Sequence, residues 1–258
     1  MENKTALITG GATGIGRRTA MQLAAEGINL IINYRSSKNE AEDLAVELTS
    51  RYRTKNICIK GDITLYEECE NLVSESLKVF KSIDIIVHNA GPYISERKKM
   101  ADYEIKEWDY LINGNLNAVF YLSNLLIPYM REQKWGRIIT VGFERVESAP
   151  GWIFRSAFAA AKSGLASLTK TIALEEAEHG ITANMVCPGD IIGEWKEKEI
   201  IESLKEKDDS VPVGRPGTGE DVSRVISFLA DEKSSFITGS VIPVTGGKDV
   251  LGKIHRGI

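Results

Sequence analysis

The sequence predicts an α/β fold, a single doubly wound domain built on a seven-stranded parallel sheet. Three observations predict it. Short β-rich runs alternate with amphipathic helical patterns along the whole chain. The strand runs are apolar throughout rather than at every second residue, as expected of strands covered on both faces. The first run ends in a glycine cluster, "TGGATGIG", that leads directly into a helical pattern.

The elements follow in order. "KTALITGG" is a strand running into glycines, and "RRTAMQLAAEG" a helix closed by Gly27. "INLIINY" is the second strand and "NEAEDLAVELTSRY" the second helix. "NICIKGD" is a third strand, followed by the helix "YEECENLVSESLKVF". "SIDIIVHNAG" is a fourth strand ending at Gly91. The stretch "IKEWDYLINGNLNAVFYLSNLLIPYMREQ" is helical, with fraying expected near Pro128, which lacks an N–H for the helix ladder. "WGRIITVGF" is a fifth strand, and "SAFAAAKSGLASLTKTIALEEAEHG" a helix closed by Gly180. "ITANMVCPGD", the helix "GEDVSRVISFLAD" and "GSVIPVTGG" complete the pattern. No boundary divides the chain, so one domain is expected over residues 1–258. The segment 191–212, "IIGEWKEKEIIESLKEKDDSVP", is charge-rich and poor in core residues, which makes it the candidate for a mobile flap.

Composition narrows the function classes. A net charge of −4 with Lys and Arg spread along the chain argues against a nucleic-acid partner. The first apolar run, "TALIT", is too short for a signal peptide or a membrane span. Cys58, Cys69 and Cys187 are odd in number and far apart. They suggest neither a disulfide nor a metal site, and a reducing cytoplasm is the expected location.

"TGGATGIG" places glycines at 10, 14 and 16 between the first strand and the first helix. Such glycines let the backbone approach a pyrophosphate, and the helix behind points its N–H groups and positive dipole end at that anion. This is the Rossmann-type dinucleotide site; a glycine-rich turn with no ligand is the plainer alternative. About twenty residues on, an NAD site normally carries an acid for the ribose 2′-hydroxyl. Here the strand ends in "NYRSS". Arg35 and Ser36 suit a 2′-phosphate through charge-assisted hydrogen bonds, which favours NADP(H). The alternative for Arg35 is a solvated surface charge.

With these residues the chain resembles the short-chain dehydrogenase/reductase family over essentially its whole length. The resemblance rests on "TGGATGIG", "GDIT", "HNAG", "NLNAVF", Lys162, "CPGD" and the ending "FITGSVIPVTGG". "GRIITVG", "AAAKSGL" and "HGITANMVCPG" bring it nearest to the 3-oxoacyl-acyl-carrier-protein reductases. The resemblance implies that Gly10, Gly14, Ile15 and Gly16 hold the pyrophosphate and that Asp62 and Ile63 meet the adenine. Asn89, Ala90, Gly91, Pro188 and Gly189 would line the cofactor, Lys162 would bind the nicotinamide ribose, and Asn115 would hold a water in a proton relay. It also implies a small-molecule or acyl-thioester carbonyl substrate and a homotetramer or homodimer.

The pattern breaks where the family protonates its substrate. The usual tyrosine, four residues before the lysine, is Phe158; the usual serine after the fifth strand is Phe143, although the interval between them is about two residues longer than usual. Gly193 stands where a threonine commonly meets the carboxamide. Neither phenyl ring donates a proton. The expectation is therefore an oxidoreductase with altered or weakened proton donation. The alternatives are a non-catalytic NADP(H)-binding sensor or structural protein, and an enzyme whose substrate needs no protein acid. Glu144, Arg145, Glu147 and Ser148 fall beside the expected pocket, as substitute donors or as solvated loop groups. Tyr93 either reaches inward or shapes the cofactor mouth. His88 reads as a satisfied strand-end histidine; His179 and His255 suggest nothing.

Overall fold

A computed structural model describes residues 4–248. Seven strands form one sheet in the order β3-β2-β1-β4-β5-β6-β7, and every neighbouring pair is parallel. In chain order the elements are β1 (Thr5–Ile8), α1 (Gly14–Ala25), β2 (Asn29–Tyr34), α2 (Lys38–Tyr52), β3 (Asn56–Lys60), α3 (Tyr66–Val79), β4 (Ile85–His88), α4 (Ile105–Ile112), α5 (Ala118–Gln133), β5 (Gly136–Val141), α6 (Ser156–Glu175), β6 (Ile181–Pro188), α7 (Ile200–Ser203), α8 (Gly219–Ala230) and β7 (Val241–Val244).

The continuous apolar strands explain the two layers. Successive side chains of a strand point to opposite faces. Ala6 and Ile8 join Leu30 and Ile32 in a core completed by α1, α2 and α8 residues such as Leu23, Leu44 and Ile226. Leu7 and Ile31, one residue out of phase, join Ile86 and Ile138 beneath Leu72, Leu122 and Ile172 of α3, α5 and α6. A strand buried on both faces cannot alternate with polar residues.

The strand order reverses between β1 and β4. The helices that follow them therefore pack on opposite faces of the sheet and leave a crevice beyond the carboxyl ends, the usual ligand position in open α/β sheets. The pairing Ile8↔Val87 brings the glycine loop level with "HNAG". Asn89 Nδ2 donates to the Thr9 and Gly10 carbonyls, both at 3.1 Å, and Thr9 Oγ1 accepts from the Ala90 N–H at 3.0 Å.

Two elements differ from expectation. The long helix is not frayed at Pro128, which lies inside α5; it is interrupted earlier, by a π turn over Asn113–Asn117. Asn115 Nδ2 donates to the Leu111 carbonyl at 3.0 Å and to the Pro92 carbonyl at 2.8 Å, and the Pro92 ring packs against Gly114. The loop after β4 thus presses into the helix where the ladder widens. The segment 191–212 carries a 3₁₀ turn, Gly193–Lys196, and the short α7. It is pinned by buried Ile191, Ser203 and Val211, by Arg18 on Glu199 at 2.9 Å, and by the Ile200 N–H on Glu220 at 2.6 Å.

Candidate functional site

One end of the crevice is a cavity lined by Gly10, Thr13, Asn33, Arg35, Ser36, Asp62, Ile63, Ala90 and Gly91. Asn33 shapes it from β2: its amide donates to the Gly61 carbonyl at 3.1 Å, which draws the ends of β2 and β3 together. Arg35 is held over the cavity mouth. Its guanidinium lies 3.8 Å from Asp62 and 3.4 Å from the Tyr110 hydroxyl. Gly16 stands at the back of the loop, where a Cβ would lie 2.2 Å from the Gly10 carbonyl oxygen. That approach fixes α1 with its N-terminal N–H groups directed into the crevice.

Beyond Gly91 the crevice opens into a second pocket. Its walls include Asn89, Asn115, Lys162, Pro188, Gly189, Tyr93, Phe143, Trp152 and Phe158. Lys162 comes from α6 and is 4% exposed. Its ammonium donates to the Val141 carbonyl at 2.7 Å, just where β5 ends. Burial pushes its pKa down to about 8, so the charged form still predominates at neutral pH. Asn115 spends its amide on Leu111 and Pro92, while its buried Oδ1 has no partner among the described residues. A Cβ on Gly91 would stand 2.4 Å from that oxygen and 3.4 Å from Lys162 Nζ, so only glycine lets the backbone pass this close to both groups.

The opposite wall is aromatic. Phe158 lies one helical turn before Lys162, with its ring centroid 5.8 Å from Nζ. Phe143 and Phe158 have centroids 6.2 Å apart; Trp152 lies 4.9 Å from the first and 6.0 Å from the second. Tyr93 meets Phe158 edge-on at 5.3 Å. The loop that delivers Trp152 holds Arg145, Ala149 and Phe154 at positive φ. Such a residue costs on the order of 1–3 kcal/mol. Aromatic pairs each return about 0.5–1.5 kcal/mol beyond their buried area.

The crevice brings most of the expected residues together. Gly10, Arg35, Ser36, Asp62, Ile63, Ala90 and Gly91 line the first cavity, and Asn89, Gly91, Asn115, Lys162, Pro188 and Gly189 the second, with Phe143 and Phe158 opposite. Gly14 opens α1, and Ile15 packs into the core rather than lining the crevice. Of the loop groups, Glu144 lines the pocket; Arg145, Glu147 and Ser148 stand off it, and the Ser148 hydroxyl donates to the Arg145 carbonyl. Gly193 belongs to a 3₁₀ turn and does not line it. His88 is buried against the Ser123 hydroxyl at 3.2 Å, and burial drives its pKa down to about 3, so it is a neutral imidazole near neutral pH and offers no imidazolium acid. His179 closes a 3₁₀ turn after α6, and His255 lies outside the described residues. Sequence reasoning missed Trp152, Tyr110 and the contact of Glu197 with the α1 N-terminus. Trp152 alone left a trace, in the lengthened interval between Phe143 and Phe158.

Residues 10–249 match the family described as enoyl-(acyl carrier protein) reductase. The chain belongs to the short-chain dehydrogenase/reductase family. The Bacillus subtilis protein YtkK, provisionally described as an oxidoreductase, is 50% identical over 249 residues, covering 96% of this chain and 97% of that protein. The 3-oxoacyl-(acyl-carrier-protein) reductase FabG of Staphylococcus epidermidis is 35% identical over 246 residues, with 95% and 98% covered. A solved Bacillus thuringiensis structure, provisionally described as a 3-oxoacyl reductase, superposes with a TM-score of 0.88 at 48% identity, covering 96% and 99%.

Short-chain reductases generally use a nicotinamide dinucleotide, and these residues fit one. The glycine loop leaves backbone space for a pyrophosphate, and the Asn115 oxygen beside the Lys162 ammonium offers an acceptor and a donor to ribose hydroxyls. One group competes. The Gly14 N–H, first in α1, donates to Glu197 Oε1 at 2.6 Å, and Arg17 Nε lies 3.8 Å from the other carboxylate oxygen. A pyrophosphate must displace this carboxylate. A charge at a helix N-terminus is worth about 0.3–2 kcal/mol. Glu197→Gln is therefore expected to tighten dinucleotide binding about two- to thirtyfold by titration calorimetry at low salt. Unchanged or weaker binding would show that the carboxylate does not oppose the cofactor.

Proposed function

We propose that this protein is an NADP(H)-dependent oxidoreductase that reduces a ketone to an alcohol, on a substrate of the 3-oxoacyl-thioester kind, with proton donation changed from the family's usual arrangement. The observation that carries the reading is the buried Lys162 ammonium, set between the Asn115 acceptor and the aromatic pocket. A lysine left charged at that depth is costly unless an occupant of the crevice uses it. The names of FabG and the Bacillus thuringiensis relative support the substrate class.

Each residue then has a task. Arg35 and Ser36 hold the 2′-phosphate, Lys162 and Asn115 fix the nicotinamide ribose, and Pro188 and Gly189 support the ring. When bound, the dinucleotide supplies a hydride. Phe143, Trp152 and Phe158 exclude water from the receiving carbonyl and strengthen the polar contacts that remain. Phe158 takes the place of the family's tyrosine and Phe143 that of its serine. A positioned general acid contributes about 10²–10⁴-fold, on the order of 3–5 kcal/mol. Without one the reaction is slow. The second reading, a non-catalytic NADP(H)-binding sensor or structural protein, is favoured by that apolar wall alone.

Other proposals follow the family. The segment 191–212 serves as a flap. Exposed Ile105, Phe120, Tyr129 and Leu174 on α4, α5 and α6 support a homodimer or homotetramer. Among the described residues no helix is long and apolar enough to cross a membrane, and no group of side chains could hold a metal ion.

Cofactor preference tests the first half of the reading. Charged hydrogen bonds are worth about 1.5–3 kcal/mol, so NADPH is expected to bind at least about tenfold more tightly than NADH. Arg35→Asp should reverse the order. Equal affinities of the native protein for both cofactors by titration calorimetry would reject the assignment.

Turnover tests the second half. NADPH oxidation is followed with a panel of β-ketoacyl thioesters for the native protein, Phe158→Tyr, Phe143→Ser and the double variant. Phe158→Tyr alone adds a hydroxyl to a pocket that Phe143 and Trp152 line with apolar rings, and an oxygen left unpartnered there costs about 1–3 kcal/mol. It is expected to gain little, and the double variant to exceed the product of the singles, because the two positions share one pocket. A double variant that binds NADPH but stays without turnover would favour the sensor reading.

A further inference from the structure

Phe158 leaves the pocket without the expected phenol on α6, yet a phenol does line it. Tyr93, from the loop after β4, stands across the pocket with its ring edge-on to Phe158 at 5.3 Å and 89°. Its oxygen is not idle. Arg155, the residue immediately before α6, donates from Nε to the Tyr93 hydroxyl oxygen at 2.6 Å. The same guanidinium donates to the carbonyls of Ser95 and Glu96, at 2.9 and 2.7 Å, and of Phe154, at 2.9 Å. The bonds to Ser95 and Glu96 already brace the loop to the start of α6, so the bond to Tyr93 is not needed as a fastening.

Counting donors and acceptors gives the Tyr93 bond a meaning. Arginine has no acceptor, so the Tyr93 oxygen must accept from it. The phenol's own proton is thereby left to be donated elsewhere. A hydroxyl that accepts from a cation and donates its proton is also the better donor, since the charge-assisted bond stabilises the phenolate left behind. Within the family's usual geometry a lysine ammonium plays that part for a tyrosine one turn away. Here Lys162 faces a phenyl ring, and the charge that faces a phenol is Arg155.

We propose that Tyr93 is the proton donor of this enzyme, with Arg155 stabilising its phenolate. The inference rests on the ketone-reductase reading given above. The carbonyl carbon receives hydride from NADPH, its π bond opens onto oxygen, and the Tyr93 O–H bond breaks as the proton passes to that oxygen. The product is the alcohol, with NADP⁺ formed. The phenolate, held by Arg155, then recovers a proton from water. Tyr93 is 50% exposed, so bulk solvent reaches it without a buried relay. That agrees with Asn115, whose amide donors are both committed to backbone carbonyls. Two flanking contacts keep the assembly in place: Arg155 lies 5.0 Å over the Tyr93 ring, and the Tyr103 hydroxyl donates to the Phe154 carbonyl at 3.2 Å.

Tyr93→Phe tests this with the loss of one oxygen atom and no change of packing volume. Its kcat for ketone reduction is expected to fall about 10²–10⁴-fold, the usual contribution of a general acid. The dissociation constant for NADPH, by titration calorimetry, should not change; a phenol that only braced the loop would move that constant or KM rather than kcat. A second readout is independent of turnover. With a ¹³C-carbonyl ketone bound in the presence of NADP⁺, the carbonyl stretching band should lie at lower frequency in the native protein than in Tyr93→Phe, because a donated hydrogen bond weakens the C=O bond. Native-like kcat in Tyr93→Phe overturns the proposal and leaves the reductase reading standing. Absence of ketone reduction by the native protein rejects the reductase reading instead; the carbonyl band then decides alone, a shifted band supporting Tyr93 as donor to a bound carbonyl and an unshifted one overturning it.

Discussion

A buried ammonium group sets the terms for the rest of the crevice. Lys162 is almost inaccessible, and one backbone carbonyl, that of Val141, accepts its proton. An ammonium has three donors. Burial opposes its charge, which is why its pKa is drawn down to about 8. The surroundings follow from this cost. Strand β5 must end at Val141 so that a carbonyl free of the ladder points at the lysine. Helix α6 must begin at the pocket rim to deliver it. Gly91 must lack a side chain, or its backbone could not pass this close to the ammonium and the Asn115 oxygen. The π turn before α5 turns Asn115 inward and occupies its amide, leaving that oxygen as the complementary acceptor.

The two ends of the crevice are built on different physics. At the Arg35 end, the glycine loop, the α1 N-terminus and Arg35 bring positive groups together, tempered by Asp62 and Glu197. At the other end, Phe143, Trp152, Phe158 and Tyr93 form an apolar bowl of edge-to-face and tilted contacts. The bowl raises the strength of any polar contact made inside it and admits an apolar chain next to the reacting carbon. If this crevice reduces a carbonyl as proposed, Phe158 has no proton to give, and the phenol that lines the same pocket is Tyr93, held by Arg155.

Much of this was legible in the sequence because it depends on local pattern. Strands buried on both faces read as unbroken apolar runs, so Leu7 and Ile8 announced two cores as well as one strand. The glycine loop sits where β1 passes into α1, Asn115 and Lys162 lie within helical segments, and the four-residue step from Phe158 to Lys162 is a helical turn in either description. What could not be read depends on pieces brought together from far along the chain. Arg155 and Tyr93 are 62 residues apart. Glu197 reaches the α1 N-terminus across 183 residues. Neither pairing has a period or a motif. The π turn was hidden for a related reason: its cause is Pro92 pressing on Gly114 from another loop, while the proline inside α5, the more conspicuous signal, is accommodated. In segment 191–212, read from its charges as a candidate flap, two of those charges, Glu199 and Glu197, meet Arg18 and the Gly14 N–H.

The central claim is that Lys162 is kept buried and charged for the nicotinamide half of a dinucleotide. It is tested most directly by comparing Lys162→Met with the native protein in titration calorimetry against two ligands, NADPH and adenosine 2′,5′-bisphosphate. The second ligand keeps the adenosine, the 2′-phosphate and one phosphate but lacks the nicotinamide ribose. Loss of one charge-assisted contact predicts NADPH binding weakened about tenfold or more, with adenosine 2′,5′-bisphosphate binding unchanged. Equal weakening of both ligands, or of neither, would contradict the account.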